Sequence, residues 1–148
     1  MDIKQSMREI LLAESQAVAS IPVTDDYQGA VEAIVERVHR RGGKLVTTGM
    51  GKAGQIAMNI ATTFSSTGTP SVFLHPSEAQ HGDLGILQPN DIMLMISNSG
   101  KTSEIVDLVS LSKNIYPDIP LIVISGAPKS PLAELADYFL PTGAAPEV

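Results

Sequence analysis

The sequence predicts an α/β fold, a three-layer α/β/α sandwich around a five-stranded parallel sheet. Three observations carry this expectation. Predicted strands and helices alternate regularly from residue 26 to residue 140. The segments 92–96 and 121–124 are apolar without period-two alternation, so helices must cover both faces of the sheet. Two predicted strands run directly into glycine- or serine-rich turns that open helices, the junction expected of a parallel sheet.

Length and composition bound the rest. The 148 residues suit one domain, 1–148, with N-terminal helices over 1–41 and an α/β core over 44–141. An apolar content of 43% supports a packed core and argues against disorder. The net charge of −6 disfavours nucleic acid, which calls for a basic face. With no Trp and only three Phe and three Tyr, an aromatic stacking platform is not expected. No apolar run approaches the roughly 18–20 residues of a membrane span, and the charged N-terminus lacks a signal-peptide apolar region. The chain has no cysteine, hence no disulfide and no thiolate metal site. A cytoplasmic protein with no membrane partner is the expectation.

Each element has its own signal. Ile3, Met7, Ile10, Leu11 and Val18 fall on one face of a helix over 1–20, expected to pack on its own domain or on another subunit. Pro22 ends it. Asp25 or Asp26 caps a second helix whose buried stripe is Ala30, Val31, Ile34, Val35 and Val38, stopped by Gly42 and Gly43. A strand over 44–48 leads into Gly49-Met50-Gly51-Lys52-Ala53-Gly54 and a helix with Ala53, Ile56, Ala57, Ile60, Ala61 and Phe64 at helical spacing, ending near Gly68. A strand over 71–74 follows. Ser77 is the expected N-cap of a short helix, and Gly82 to Gly85 read as a loop. The strand 91–96 precedes Ser97-Asn98-Ser99-Gly100-Lys101-Thr102-Ser103 and a helix to about Asn114. A fourth strand spans 120–125. Ser130 caps, and Pro131 begins, a short helix to Ala136. A fifth strand covers 138–140.

Ligands collect beyond the carboxyl ends of such strands. Gly49, Gly51 and Gly54 let the backbone turn tightly there. The free N–H groups and positive dipole end of the following helix favour an anion, and Lys52 adds a full charge. Although Gly49, Gly51 and Gly54 match G-x-G-x-x-G, the strand expected to end in a ribose-binding acid ends in Leu74-His75, which argues against a dinucleotide. A nucleotide P-loop fails because Val46 occupies its first glycine position. Ser97, Ser99 and Thr102 offer three hydroxyl donors at a second helix start, where a simple cap needs one; phosphate is the leading ligand. His75 and His81, with Glu78 and Asp83, lie in the segment between two strands beside these loops. A histidine there is more often structural, yet two beside phosphate loops point to a catalytic role. They lack the short helical spacing of metal ligands and have no obvious third partner. Glu104 either compensates the helix dipole or, being close to a bound phosphate it repels, does chemistry. Glu147, in a Gly/Ala/Pro stretch, reads from the residues alone as a solvated tail residue.

The blocks Gly49-Met50-Gly51-Lys52-Ala53-Gly54, Ser66-Thr67-Gly68-Thr69-Pro70, His75-Pro76, Glu78, His81-Gly82-Asp83-Leu84-Gly85 and Ile96-Ser97-Asn98-Ser99-Gly100 resemble the sugar isomerase (SIS) domain, over about residues 40–148. More narrowly they resemble the arabinose-5-phosphate isomerases of bacterial Kdo and capsule synthesis. The resemblance implies a flavodoxin-like or Rossmann-like sheet and interconversion of D-arabinose 5-phosphate and D-ribulose 5-phosphate without a cofactor. It implies tetramers or other homo-oligomers with sites shared between subunits. It implies that Ser97, Ser99 and Thr102 hold the phosphate beside Gly49 and Gly51. Lys52, Glu104 and Glu147 match catalytic positions, and Gly68, Thr69 and His81 match substrate-contacting ones. His75 matches a position linked to substrate and to an inhibitory zinc ion. Many members carry two CBS domains after the sugar domain, and the family continues past the position of Val148 into a helical segment with another active-site histidine. Either the chain is a fragment with a truncated C-terminus, or its catalytic set is incomplete. Lys101 stands where the family commonly has an acidic residue, which should strengthen anion binding.

The chemistry that follows is aldose–ketose isomerisation through an enediol. A base removes the proton beside the carbonyl and returns it to the neighbouring carbon. Lys52 stabilises the developing oxyanion. His81 moves protons between the oxygens or serves as the carbon base; Glu104 and Glu147 are the other candidates, and the residues alone leave the choice open. A 6-phospho-3-hexulose isomerase and a non-catalytic phosphosugar sensor are the alternatives. The His81-to-Gly85 block argues against the first. The lack of room for a DNA-binding helix-turn-helix in the first 40 residues argues against the second.

Overall fold

The computed structural model describes residues 2–143. In chain order the elements are α1 (Ile3–Ala19), α2 (Asp26–Ile34) continued by a π-helical turn (Val35–Arg40), β1 (Leu45–Gly49), α3 (Gly51–Ser66), β2 (Ser71–Phe73) and α4 (Pro76–Ala79). A 3₁₀ turn (Asp83–Ile86), β3 (Ile92–Ile96), α5 (Ser103–Ile115), β4 (Leu121–Ser125), α6 (Pro131–Leu135) and β5 (Tyr138–Pro141) follow. The five strands form one parallel sheet in the order β2-β1-β3-β4-β5. From β1 the chain steps to β2 on one side, then returns across the sheet to β3 on the other. The order therefore reverses between β1 and β3, the position where open parallel sheets bind ligands.

Two apolar layers sandwich the sheet. On one face Ala30, Ile34 and Val38 pack on Leu45, Ile92, Leu94 and Ile122, joined by Phe64 of α3. On the other, Ile105, Leu108 and Val109 of α5, Leu132 of α6 and Ala79 of α4 cover Val46, Met93, Met95 and Val123. β1, β3 and β4 are almost completely buried, which is why their sequence lacks alternation.

Several local expectations are corrected. The α2 stripe is narrower than expected: Ala30, Ile34 and Val38, spaced by four, face the sheet, while Val31 and Val35 lie a turn's fraction round the helix and are exposed. Asp25 occupies the cap position without a side-chain cap bond, and Asp26 accepts the Phe139 N–H at 2.9 Å, tying α2 to β5. His75, not Ser77, precedes the short helix, because Pro76 has a fixed φ and no N–H and so suits the first helical position. The expected loop at 82–85 contains the 3₁₀ turn, entered through Gly82 at φ +127°. α1 buries none of its residues; Ile3, Met7, Ile10, Leu11 and Val18 are 45% to 69% exposed, so the expectation that α1 packs on its own domain fails.

Candidate active site

The site is built from two neighbouring strand ends. Gly49 closes β1 directly beside Ile96 at the end of β3, so the loops beyond them start at one level on adjacent strands. A Cβ on Gly49 would meet the Ala53 carbonyl at 2.8 Å, and one on Gly54 the Gly49 carbonyl oxygen at 2.6 Å. The strand end and the first turn of α3 thus touch backbone to backbone. Gly51 has open space around it but adopts φ +56°, which excludes most side chains. No side chain caps α3, leaving its first N–H groups free for an anion, with exposed Lys52 in the same turn.

The second loop is more tightly held. Buried Ser97 places its Oγ 2.9 Å from Thr102 Oγ1 and accepts the Gly100 N–H at 3.1 Å. Gly100 takes φ +61°, and a Cβ there would collide with Ser130 Oγ. Its carbonyl accepts the Leu132 N–H, pinning the loop to α6. Ser125 Oγ donates to the Asn98 carbonyl at 3.1 Å, and the Gly126 N–H bonds the same oxygen. Ser99 Oγ, on the exposed crest, accepts the Lys101 N–H. The Thr102 hydroxyl, which at this position would cap α5, is turned to Ser97 instead, so the N-terminus of α5 also lacks a side-chain cap. Ser125, Asn98 and Ser130 brace this loop, contacts that no motif announces. Their signal was weak, because each matters through loop contacts and not through a motif.

His75 lies just past β2, whose exit is drawn to β1 by the bond from Thr48 Oγ1 to the Leu74 carbonyl at 2.7 Å. Its ring meets Phe73 edge-on, with centroids 6.3 Å apart. Its Nδ1 is buried and, among the described residues, has no hydrogen-bond partner. A buried polar atom left in this state costs free energy until a ligand or water meets it. Among the described residues no three His, Asp or Glu side chains converge on a point, so His75 alone does not form a zinc cage. α4 packs against α5, and His81 lies two residues past the end of α4. His81 is exposed and its N–H bonds the Glu78 carbonyl. Glu104 is held below the usual carboxylate range by its own backbone N–H and by the Ser103 hydroxyl at 3.0 Å, against the opposing effect of partial desolvation.

Gly49, Gly51, Lys52, His75, Ser97, Ser99, Thr102 and Glu104 therefore come from adjoining junctions at one end of the sheet. Gly68 and Thr69 do not join them. They precede β2, and the adjacent Pro70 carbonyl bonds Leu45 at the start of β1, so they lie at the amino end. Gly68 turns at φ +94°, and Thr69 Oγ1 sits 3.1 Å from His39 Nε2. Glu147 falls outside the described residues.

Residues 39–148 match the model of the SIS domain family. The arabinose 5-phosphate isomerase KdsD of Shigella flexneri is 44% identical over 140 residues, 94% of this chain but 41% of that relative. The chain thus spans less than half the length of such relatives. A candidate phosphosugar isomerase involved in capsule formation, from Bacteroides fragilis NCTC 9343, has a solved structure that is 66% identical and superposes with a TM-score of 0.97, over 99% of this chain and 76% of that one. The structure of c3406 from E. coli CFT073 in complex with arabinose 5-phosphate is 34% identical, with a TM-score of 0.80 over 97% of this chain and 76% of that one. A sheet that reverses its strand order between two anion-ready junctions, matched over this length, identifies the chain as a member of the SIS domain family.

Proposed function

We propose that this protein is an aldose–ketose isomerase of phosphorylated sugars, converting D-arabinose 5-phosphate to D-ribulose 5-phosphate. The observation that carries the reading is the side-by-side placement of the Gly49–Lys52 and Ser97–Thr102 junctions, both with helix N-termini open to one doubly charged ester. Similarity to a KdsD isomerase and to a structure holding arabinose 5-phosphate supports the sugar.

In the proposed reaction, Ser97, Ser99, Thr102 and the N–H groups at Gly49 and Gly51 hold the phosphate. The open aldose then lies toward His75, Lys52 and Glu104. Glu104, ionised at neutral pH, takes the proton from C2. The C2–H electrons form the C1–C2 double bond and the C1 carbonyl oxygen becomes an enediolate oxygen facing Lys52. The proton returns to C1 while the O2 proton is passed to O1, the transfer assigned to His81, and O2 becomes the ketone. Glu147 is a second carboxylate for this chemistry. The balance needs no external oxidant or reductant, and no cofactor enters it. His75 Nδ1 is an atom that a substrate hydroxyl would satisfy.

The chain is read as one domain that works as a cytoplasmic homo-oligomer, dimer or tetramer, with shared sites, supplying a precursor for Kdo or capsule. Composition and the capsule-linked B. fragilis relative support this setting; among the described residues no helix is long and apolar enough to cross a membrane. The test is to incubate the protein with arabinose 5-phosphate in deuterium oxide and follow ketose formation and deuterium at C1. Ketose carrying deuterium is expected. Turnover of hexulose 6-phosphates instead would reassign the substrate, and binding without turnover would make the chain a sensor.

A further inference from the structure

The first turn of α5 carries an anion of its own. The N–H groups of Ile105 and Val106 both bond the Thr102 carbonyl, so among the described residues those of Ser103 and Glu104 are the donors of that turn that no carbonyl accepts. Thr102 stands at the cap position, but its hydroxyl lies 2.9 Å from Ser97 Oγ and makes no cap bond. The turn is served from inside the helix instead. Glu104, the second helical residue, folds its carboxylate back on its own N–H, and its Oε2 accepts the Ser103 hydroxyl at 3.0 Å. Among the described residues Glu104 forms no ion pair, so these donors and the positive end of the helix dipole are what hold it.

The phosphate of the substrate is read to bind at this same helix end. Ser97, Ser99 and Thr102 directly precede Ser103. A phosphate ester carries about −1.5 to −2 charges at neutral pH and three strong acceptor oxygens. Two anions therefore claim one set of donors, and the phosphate has the loop hydroxyls in addition.

We propose that Glu104 is a built-in stand-in for the substrate's phosphate: in the free protein its carboxylate covers the first-turn donors of α5, and a phosphate seated on Ser97, Ser99 and Thr102 displaces it, so that the base is released when substrate binds. The inference rests on the phosphosugar reading and deepens it, since it gives the site a trigger.

Two consequences follow from the chemistry. In the free protein both hydrogen bonds keep Glu104 below the usual carboxylate range. Displacement removes them and adds a like charge close by, and each change makes the carboxylate more basic, as removal of a carbon-bound proton requires. The coupling is also reciprocal. A phosphate that makes Glu104 more basic must itself bind more tightly once Glu104 is protonated or replaced. The other charged groups on the surrounding elements are Lys101 and Asp107 on the same loop and helix, Lys52 at the start of α3, Glu78 on α4, His81 beyond it and Glu134 on α6. Each acts on either anion with the same sign, whereas Glu104 alone among them holds the donors of the turn.

Inorganic phosphate is the probe, so no turnover enters the test. The carboxyl carbon of Glu104, followed by NMR in the native chain, should titrate below 4.5 without phosphate and at higher pH with it. Glu104→Gln should bind phosphate at least about 5-fold more tightly by calorimetry. Asp107→Asn, which removes the same charge one turn along the helix, should change the affinity by no more than about 2-fold, because an exposed charge at that distance is largely screened. A Glu104 titration that phosphate leaves unmoved or lowers overturns the proposal. So does Glu104→Gln binding phosphate no more tightly than the native chain, or Asp107→Asn matching it. Ketose formation is scored separately. A chain whose Glu104 responds to phosphate but that turns over no sugar phosphate would sink the isomerase reading alone, and turnover with an unresponsive Glu104 would sink this inference alone.

Discussion

Ser97 and Thr102 hold their hydroxyl oxygens 2.9 Å apart across the loop joining β3 to α5. One hydroxyl hydrogen is spent between them, and the other remains for a ligand at the same point. Ser97→Ala and Thr102→Val should each weaken binding of sugar phosphate, read as KM or by calorimetry, roughly 10- to 100-fold, the loss of a hydrogen bond to a charged group. The rate at saturation should change less. Because the two share one bond, the double variant should lose less than the product of the single losses. Full additivity would mean that they act on different ligand atoms.

The identity of the carbon base is accessible through pH. Glu104 lies below its ordinary value of 4.5, chiefly through its own backbone N–H and then Ser103. A lowered value keeps the basic form ionised to lower pH, so a Glu104 base puts its acid limb in kcat/KM below 4.5. Free sugar phosphate itself titrates near about 6, so the comparison must be between variants. His81→Gln is expected to lower the rate while leaving the remaining acid limb in place. Glu104→Gln should cost about 10²- to 10⁴-fold in kcat. An acid limb that moves in His81→Gln would transfer the role of base to the histidine.

Most of this architecture was legible in the residues. Uniformly apolar segments at 92–96 and 121–124 announced a buried parallel sheet, and Gly49, Gly51 and Gly54 marked the β1–α3 junction. Three things resisted. Val31 and Val35 look like core residues until the angular position of Ala30, Ile34 and Val38 is known. α1 has the stripe of a packed helix, but periodicity reports that a face is apolar and not what covers it. Thr69 sits in a recognisable block, yet only the sheet direction reveals that its block lies opposite Ser97. Spacing within a motif is local information; which end of a sheet a motif reaches depends on the path of the whole chain.

Asp91 makes the sharpest prediction about stability. It is completely buried and accepts the Lys44 N–H at 2.9 Å, Lys44 Nζ at 2.7 Å and the Gln88 N–H at 2.8 Å. It thereby fixes the entries of β1 and β3 at the end of the sheet away from the site. Asp91→Ala removes all three bonds and strands the Lys44 charge, whose side chain is only 19% exposed, so a loss of about 3–5 kcal/mol is expected in denaturant unfolding. Lys44→Ala leaves the carboxylate buried and should cost a comparable amount. Neither should alter the stereochemistry of any turnover that survives, since both residues lie at the amino end of the strands.

Lys52 gives the complementary prediction about catalysis. It stands in the first turn of α3, exposed, and among the described residues forms no ion pair. It sits at the junction that leaves β1, the strand lying beside the one that leads into the Ser97–Thr102 loop. If it meets the enediolate oxygen, its stabilisation is realised mainly in the transition state. Lys52→Met should then lower kcat about 10²- to 10³-fold, with KM changed by no more than a few-fold. Lys52→Arg should recover part of kcat, its charge being right but its fork differently placed. A Lys52→Met variant that instead raised KM about 100-fold with kcat intact would make the residue a phosphate anchor, because uniform binding of ground and transition states changes KM alone.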